Sequence, residues 1–365
     1  MTEIGKAVPN NTFVTPHIAA VGIANPPHRI VQAEADRLLS IHYAGQLKPR
    51  SLDIMHKVLA HPSIRERYAS VGSIEELIAL KNEDPDVRAE RFTRWSVELS
   101  AAAIKQALNR AGIDTNNVTT LIVNTCTGYI CPGISTYLIE HLGLSPDIRA
   151  YDMVGSGCGG AIPNLQIARS LVAGNADEVV VSVSVEICTA TFQMGNDISL
   201  IISNAIFGDG AAAAVVWGRP QGLVLHATKS RFVPEYRADV RYIHKNGQLH
   251  NQLSPQLPRL NGEIVPLLVR DLLAENRLPI EDIGHWAIHP GGDRILDILA
   301  QKLDLNPDKM AVSRGVLADY GNMSSPTVLF ELKRIMDTGV ATGDWCMMVA
   351  FGAGFSVHAY LLQGV

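Results

Sequence analysis

A cysteine set among glycines is the first residue in this chain whose surroundings could do chemistry. Residues 151–173 read YDMVGSGCGGAIPNLQIARSLVA. A short run, Tyr151–Val154, leads into Gly155-Ser156-Gly157-Cys158-Gly159-Gly160, and apolar residues then recur at Ile162, Leu165, Ala168 and Leu171, a helical spacing. The pattern predicts strand, tight turn and helix, with Cys158 at the turn. Glycines there admit backbone angles that other residues resist and let a substrate come close. A helix N-terminus directs unpaired N–H groups and the positive end of its dipole at what precedes it. That field favours thiolate over thiol, and thiolate is the nucleophile. Hydrolases place their nucleophile on a similar strand-to-helix elbow. An arbitrary free cysteine is more often a small buried hydrophobe, but the glycines and serines crowded around Cys158 argue for function.

Two polar residues further on stand at comparable places. His289 leaves a continuous apolar run into a Pro-Gly-Gly turn, Ile288-His289-Pro290-Gly291-Gly292. Asn322 lies in Tyr320-Gly321-Asn322-Met323-Ser324-Ser325-Pro326, a turn that opens a helix over Val328–Met336. A lone His or Asn at such a turn is more often a structural residue or a cap. These two, however, fall on an internal repeat. Leu121-Ile122-Val123 is echoed by Trp286-Ala287-Ile288, HLGLSPD at 141–147 by KLDLNPD at 302–308, and Phe207-Gly208-Asp209-Gly210 by Phe351-Gly352-Ala353-Gly354. The expectation is that Cys158, His289 and Asn322 all occupy strand-to-helix turns of two related halves, residues 1–222 and 223–365.

The elements that must position them follow from periodicity. Ile18–Ile23, Thr120–Asn124, Glu178–Ser184 and Ala211–Trp217 read as strands, and the continuous apolar runs among them mark a sheet buried on both faces. Ser96–Ala111, closed by Gly112, then Gly133–Leu142 and Ile198–Ile206 read as helices. Strands alternating with helices argue an α/β protein with parallel sheets and helices on their faces. Duplication argues two such halves packed face to face, with the site between them at the strand ends. Val31–Leu80 reads as helix-rich, its basic Lys57, Arg65 and Arg67 forming a solvated helix face.

Composition narrows the function. With 365 residues, the chain can form one large or two ordinary domains. Hydrophobic residues at 47% and charged ones at 18% suit a globular protein with a sizeable interior. A net charge of −5, with both signs interspersed, leaves no basic footprint for nucleic acid. Five cysteines, an odd count, form no disulfide framework and fit a reducing compartment. MTEIGKAVPNNTF lacks a basic region followed by an apolar one, so no secretory signal is expected. Trp345–Leu362 comes nearest to a membrane span, but Gly352, Gly354 and His358 interrupt it, and it reads as strand, glycine turn, strand. The cytoplasm is the expected location.

GSGCGG, FGDGAAAAVV, HPGGDRILD, DYGNMSSPTVLF and FGAGF, in this order, resemble a type III polyketide synthase of the chalcone-synthase-like superfamily, with the thiolase fold. The similarity runs from about Ile18 to Leu362, and HPGG with GNMSS is its most specific part. It implies two pseudo-duplicated α/β halves in a layered α-β-α-β-α core, a homodimer, and a Cys158–His289–Asn322 centre reached by a tunnel for the phosphopantetheine arm of coenzyme A. The substrates implied are a starter acyl-CoA and malonyl-CoA, with no metal or redox cofactor. The Cys158 thiolate would take the starter acyl group covalently, with His289 as its ion-pair partner. Decarboxylation of malonyl-CoA would leave an enolate whose oxygen accepts from His289 and the Asn322 amide. The carbanion would then attack the Cys158 thioester, and the cycle would repeat before cyclisation.

The same resemblance carries over pocket positions. Phe207 matches a gate between tunnel and cavity; the plainer reading is a core aromatic beside a glycine turn. Cys126 and Thr127 stand where plant enzymes have a Thr-Ser pair, Cys188 replaces a threonine, and Ser203 replaces a glycine. Glu186, Thr191 and Ser324 coincide with family positions, and Asn251 falls near a second gate phenylalanine. Cys131 stands where a methionine reaches into the partner subunit's cavity. Lys57 and His61 match part of a CoA-binding basic patch from which one lysine is missing. These departures argue against an aromatic starter such as coumaroyl-CoA and suggest a fatty-acyl starter giving alkylpyrones or alkylresorcinols. Two rivals share the fold: a ketoacyl-ACP synthase III making one condensation, and a non-catalytic acyl-CoA-binding protein on a retired scaffold. A zinc site at Cys126 and Cys131 has no second pair at ligand spacing.

Overall fold

Runs of valine and alanine build the centre of the molecule. The computed structural model describes residues 14–245 and 247–365. It opens with β1 (His17–Ala24), β2 (His28–Val31), α1 (Gln32–Tyr43), α2 (Pro49–Leu59), β3 (Glu66–Ala69), α3 (Ile74–Ala79) and the long α4 (Pro85–Ala111). There follow β4 (Thr120–Thr125), α5 (Ile134–Leu142), β5 (Arg149–Val154), α6 (Ala161–Gly174), β6 (Val179–Glu186), α7 (Ile198–Ile206) and β7 (Gly210–Trp217). The remainder is β8 (Leu223–Phe232), the hairpin β9 (Val240–Lys245) and β10 (Gln248–Leu253), α8 (Leu257–Glu275), β11 (Ile283–Ile288), α9 (Asp293–Leu303), α10 (Ala311–Tyr320), α11 (Thr327–Thr338), β12 (Trp345–Gly352) and β13 (Ser356–Gly364).

Nine strands join in the order β11-β12-β13-β8-β1-β7-β6-β4-β5. In the first half β4 runs parallel to β6, while β6 with β7 and β7 with β1 are antiparallel. In the second, β11 runs parallel to β12, while β12 with β13 and β13 with β8 are antiparallel. The halves meet where His17 and Ile18 pair with Val224 and Leu223. One strand breaks the copy: β5 pairs beyond β4, whereas α10 takes the corresponding place in the second half. Asn322 therefore follows a helix, not a strand, and the expectation of three strand-to-helix turns is corrected for that residue.

Side chains alternate across each sheet with the period of two that strands impose. Ile122, Val180, Ala212 and Ala214 pack inward with α6 and α11, beside Met348, Ala350 and Tyr360 of the second half. Leu121, Val123, Val181 and Val183 pack outward on α4 and α5. Met347, Val349 and Val357 pack outward on α8 and α9. The result is five layers, helix-sheet-helix-sheet-helix. Each fully buried Val or Leu contributes about 1.5–3 kcal/mol relative to exposure, which holds the strand ends in register. A fourth cluster, with Tyr43, Met55, Leu77 and Ile201, packs α1, α2 and α3 on α7.

Two local expectations change. The helix expected from Ser96 starts at Pro85, where Asp84 caps it by accepting from the Asp86 N–H at 2.8 Å; Gly112 closes it at φ +71°. Val31–Leu80 contains β3, so its basic residues do not share one solvated helix face. Lys57 and Arg65 are exposed, but Arg67 is only 4% exposed.

Candidate active site

Cys158 lies in a 3₁₀ turn, Gly157–Gly159, between β5 and α6. Gly155 (φ +91°) and Gly157 (φ +57°) supply the left-handed backbone this elbow needs. A Cβ on Gly157 would lie 2.9 Å from Ala353 N, and one on Gly352 would lie 2.5 Å from Gly159 N. The elbow of the first half is thus seated directly on the β12–β13 turn of the second. This is the structural reason for the FGAGF stretch.

His289 follows β11, with its N–H on Val349 O at 2.8 Å and its ring edge-on to Phe351 at 5.3 Å. Its Nδ1 is buried without a partner among the described residues. The Asn322 backbone pairs with that of Phe207 as an isolated bridge. Its N–H donates to Ile206 O at 2.9 Å, and its carbonyl accepts from Gly208 N–H at 3.0 Å. The Asn322 side-chain oxygen accepts from the Ser324 N–H at 2.8 Å, which fixes the amide and leaves its NH2 to the cavity that Asn322 lines.

Cys158, His289 and Asn322 line one cavity of about 60 Å³, walled by Phe207, Ile295 and Phe351. Cys158 also borders a larger chamber of about 300 Å³ with Cys126, Ser324, Asn251, Phe207 and the β9 residues Arg241, Tyr242 and His244. A third space of about 20 Å³ contains Cys188, Thr191, Ser203, Asn251 and Arg67, and Phe207 borders it too. Phe207 thus stands where all three meet.

Other expected positions lie apart from these spaces. Thr127 is buried, its hydroxyl donating to Glu186 at 2.9 Å. Glu186 lies under the chamber floor, accepting from the N–H groups of Cys126 (2.9 Å) and Thr127 (3.1 Å) and from the Ser325 hydroxyl (2.6 Å). Cys131 is exposed, before a cis Pro132. Lys57 and His61 are exposed at the end of α2, with the His61 ring on Ser63 at 2.8 Å. Arg67 was not foreseen at the site. Its signal was only the alternating burial of a four-residue strand, too short to read from sequence.

Burial works against the expected thiolate. Burial pushes the Cys158 thiol up to about 12, against a smaller opposing effect of its hydrogen bond to Ser324. Burial pulls the His289 imidazole down to about 3. Burial thus favours the neutral form of each group. Sulfur-to-nitrogen proton transfer would create both charges together, where their mutual attraction exceeds that in water. Cys126 and Cys188 are likewise held as thiols by burial.

Fold and site together define an acyl-condensing enzyme of the thiolase type. Residues 26–233 match the family "FAE1/Type III polyketide synthase-like protein", and residues 224–365 match "Chalcone and stilbene synthases, C-terminal domain". The chain is 27% identical to a 3,5-dihydroxyphenylacetyl-CoA synthase of Streptomyces toyocaensis, over 98% of this chain and 92% of the relative. It is 30% identical to the bisdemethoxycurcumin synthase of Oryza sativa subsp. japonica, over 95% and 92%. The crystal structure of 1,3,6,8-tetrahydroxynaphthalene synthase from Streptomyces coelicolor A3(2) superposes with a TM-score of 0.87 at 26% identity, covering 95% of this chain and 99% of that one. The chain belongs to the type III polyketide synthases of the chalcone and stilbene synthase family. It is an acyltransferase that uses CoA thioesters, which sets aside both the carrier-protein condensation and the non-catalytic scaffold. Among the described residues no helix is long and apolar enough to cross a membrane, and no group of three or more His, Cys, Asp or Glu could hold a metal.

Proposed function

We propose that Cys158, His289 and Asn322 carry out repeated decarboxylative condensation of malonyl-CoA on a Cys158-bound starter, followed by cyclisation. The observation that carries this reading is their common wall: a nucleophile, a proton acceptor and an amide donor border one small cavity. The sulfur attacks the starter thioester while His289 takes its proton, and coenzyme A leaves. Malonyl-CoA then loses CO2, and the enolate oxygen accepts from His289 and the Asn322 NH2. An amide suits this step because a carboxylate would repel the developing charge.

Phe207 acts as the gate between the three spaces, and the 300 Å³ chamber takes the growing chain. Cys126, Ser324, Asn251, Cys188, Thr191 and Ser203 line the spaces that chain would fill, while Glu186 and Thr127 support the chamber floor. Lys57 and His61, exposed near the end of α2, are candidates for coenzyme A phosphate contacts. The division into 1–222 and 223–365 fits the start of β8 at Leu223 and the repeated strand order. A homodimer is supported by β5, an edge strand whose Tyr151 and Val154 are exposed beside Tyr129; Cys131 would then reach toward the partner's chamber. Acyl-CoA substrates suit the cytoplasm. A fatty starter and an alkylpyrone or alkylresorcinol product suit this chamber, whose wall exposes more apolar than polar surface. Mass spectrometry of products from a panel of starter CoAs with malonyl-CoA tests the reading. Masses spaced by C2H2O units beyond the starter support iteration, and no extension from any starter contradicts it.

A further inference from the structure

The repeat sets Asn124, after Leu121-Ile122-Val123, at the place His289 holds after Trp286-Ala287-Ile288. His289 borders the cavity, whereas Asn124 is buried and fully engaged by protein groups. Its Oδ1 accepts from the Ser184 hydroxyl at 2.7 Å and from the Asn164 side-chain amide at 3.0 Å. Its Nδ2 donates to the Ser325 oxygen at 2.9 Å, and the Ser325 hydroxyl donates to Glu186 at 2.6 Å. These partners lie on the two pieces of backbone that carry the chemistry. Asn164 is on α6, the helix that follows the Cys158 elbow. A Cβ on Gly160, within that elbow, would lie 2.8 Å from Asn124 Nδ2. Ser325 is on the turn that carries Asn322, next to Ser324, whose N–H is bound by the Asn322 side-chain oxygen at 2.8 Å. Ser324 has φ +61°, a left-handed backbone that a non-glycine residue keeps only where its surroundings hold it.

From this arrangement we infer that Asn124 is a positioning residue for the condensation. It ties the Cys158 elbow of the first half to the Asn322 turn of the second, so that thiol and amide keep one spacing. Its two ends act on different elements. Oδ1 holds α6 and β6, and Nδ2 is the arm that crosses to the second half. The Ser325 proton is committed to Glu186, so toward Asn124 the Ser325 oxygen can only accept, and only a donor at the Nδ2 position satisfies it. An aspartate in place of Asn124 would keep both Oδ1 bonds. It would also face Ser325 with a second acceptor and set another carboxylate near Glu186, which works against the crossing arm. The inference rests on Asn322 as the amide that receives the enolate oxygen. Displacing such a donor slows the step in which charge develops and leaves ground-state binding of malonyl-CoA nearly as it was.

The test measures two rates on the full-length protein. One is acyl loading of Cys158 from acetyl-CoA or hexanoyl-CoA, whichever labels it faster. The other is CO2 release from malonyl-CoA. In Asn124→Asp, confirmed folded by its thermal transition, the ratio of CO2 release to loading should fall about tenfold or more, with the loss in kcat and KM little changed. Ser325→Ala removes the same bond from its other side and should lower the ratio in the same way. The double variant should be no worse than the poorer single one, because both act through one contact. Should Asn124→Asp not fold, Ser325→Ala carries the test by itself. A folded variant with the wild-type ratio, or a double variant whose losses multiply, overturns the inference and spares the condensing site. A wild-type protein that releases no CO2 from malonyl-CoA overturns the reading of Asn322 and this inference with it.

Discussion

Cys158 and His289 share a pocket that resists charge, and this sets the pH behaviour of the chemistry. A histidine lowered to about 3 stays a neutral proton acceptor as pH falls through its ordinary value of 6.5. The acid limb of kcat/KM for acyl loading should therefore lie below pH 6.5, as a pH profile over pH 4–9 would reveal; a limb at or above 6.5 would contradict a burial-depressed imidazole. Asn322→Asp puts a carboxylate where the enolate oxygen develops. Malonyl-CoA decarboxylation, followed as CO2 release, should fall about 100- to 1000-fold, while Cys158 loading survives; equal loss of both would assign Asn322 a structural role. The three polar residues were legible because glycine turns and a repeat flank each of them. Arg67 was not, because its burial comes from contacts with Gln32, Asn204 and Phe207, all distant in the chain. The burial that favours the Cys158 thiol was not legible either, since a helix N-terminus is visible in sequence and desolvation is not.

At the scale of elements, the elbow depends on the absence of side chains where two turns meet. Gly352→Ala would place a Cβ 2.5 Å from Gly159 N and 2.6 Å from Ser156 O, both backbone atoms that cannot step aside cheaply. The expected cost is about 1–3 kcal/mol of stability, read as a lower thermal midpoint, together with slower Cys158 loading because the turn must shift. Gly174→Ala, where an added Cβ meets nothing within 4 Å, is the matched control and should leave both unchanged. The strands and most helices were legible from periodicity. The repeat also disclosed which turns correspond. It could not disclose that α10 stands in for the edge strand, because similar flanking turns say nothing of the segment between them.

For the whole molecule, the second half has no counterpart of β5 among the described residues, so the sheet ends at β11 on one side and at β5 on the other. Among the described residues, β5 ends the sheet, with Val154 58% exposed and Tyr129 of the adjoining loop 77% exposed. A long exposed edge with apolar side chains invites pairing with another chain. Light scattering should return the mass of a dimer, and Tyr151→Lys with Val154→Lys should shift it toward the monomer; a wild-type monomer at micromolar concentration would overturn the assembly. The layered core and its duplication were readable in the sequence, whereas the gated chamber was not, since Phe207, Arg67 and the β9–β10 hairpin converge only in three dimensions. The most direct trial of the central claim is intact-protein and peptide mass spectrometry after brief exposure to an acyl-CoA without malonyl-CoA. One acyl group should appear, on the Cys158 peptide alone, and disappear in Cys158→Ala together with all product formation. An acyl group on another residue, or product still made by Cys158→Ala, would contradict it.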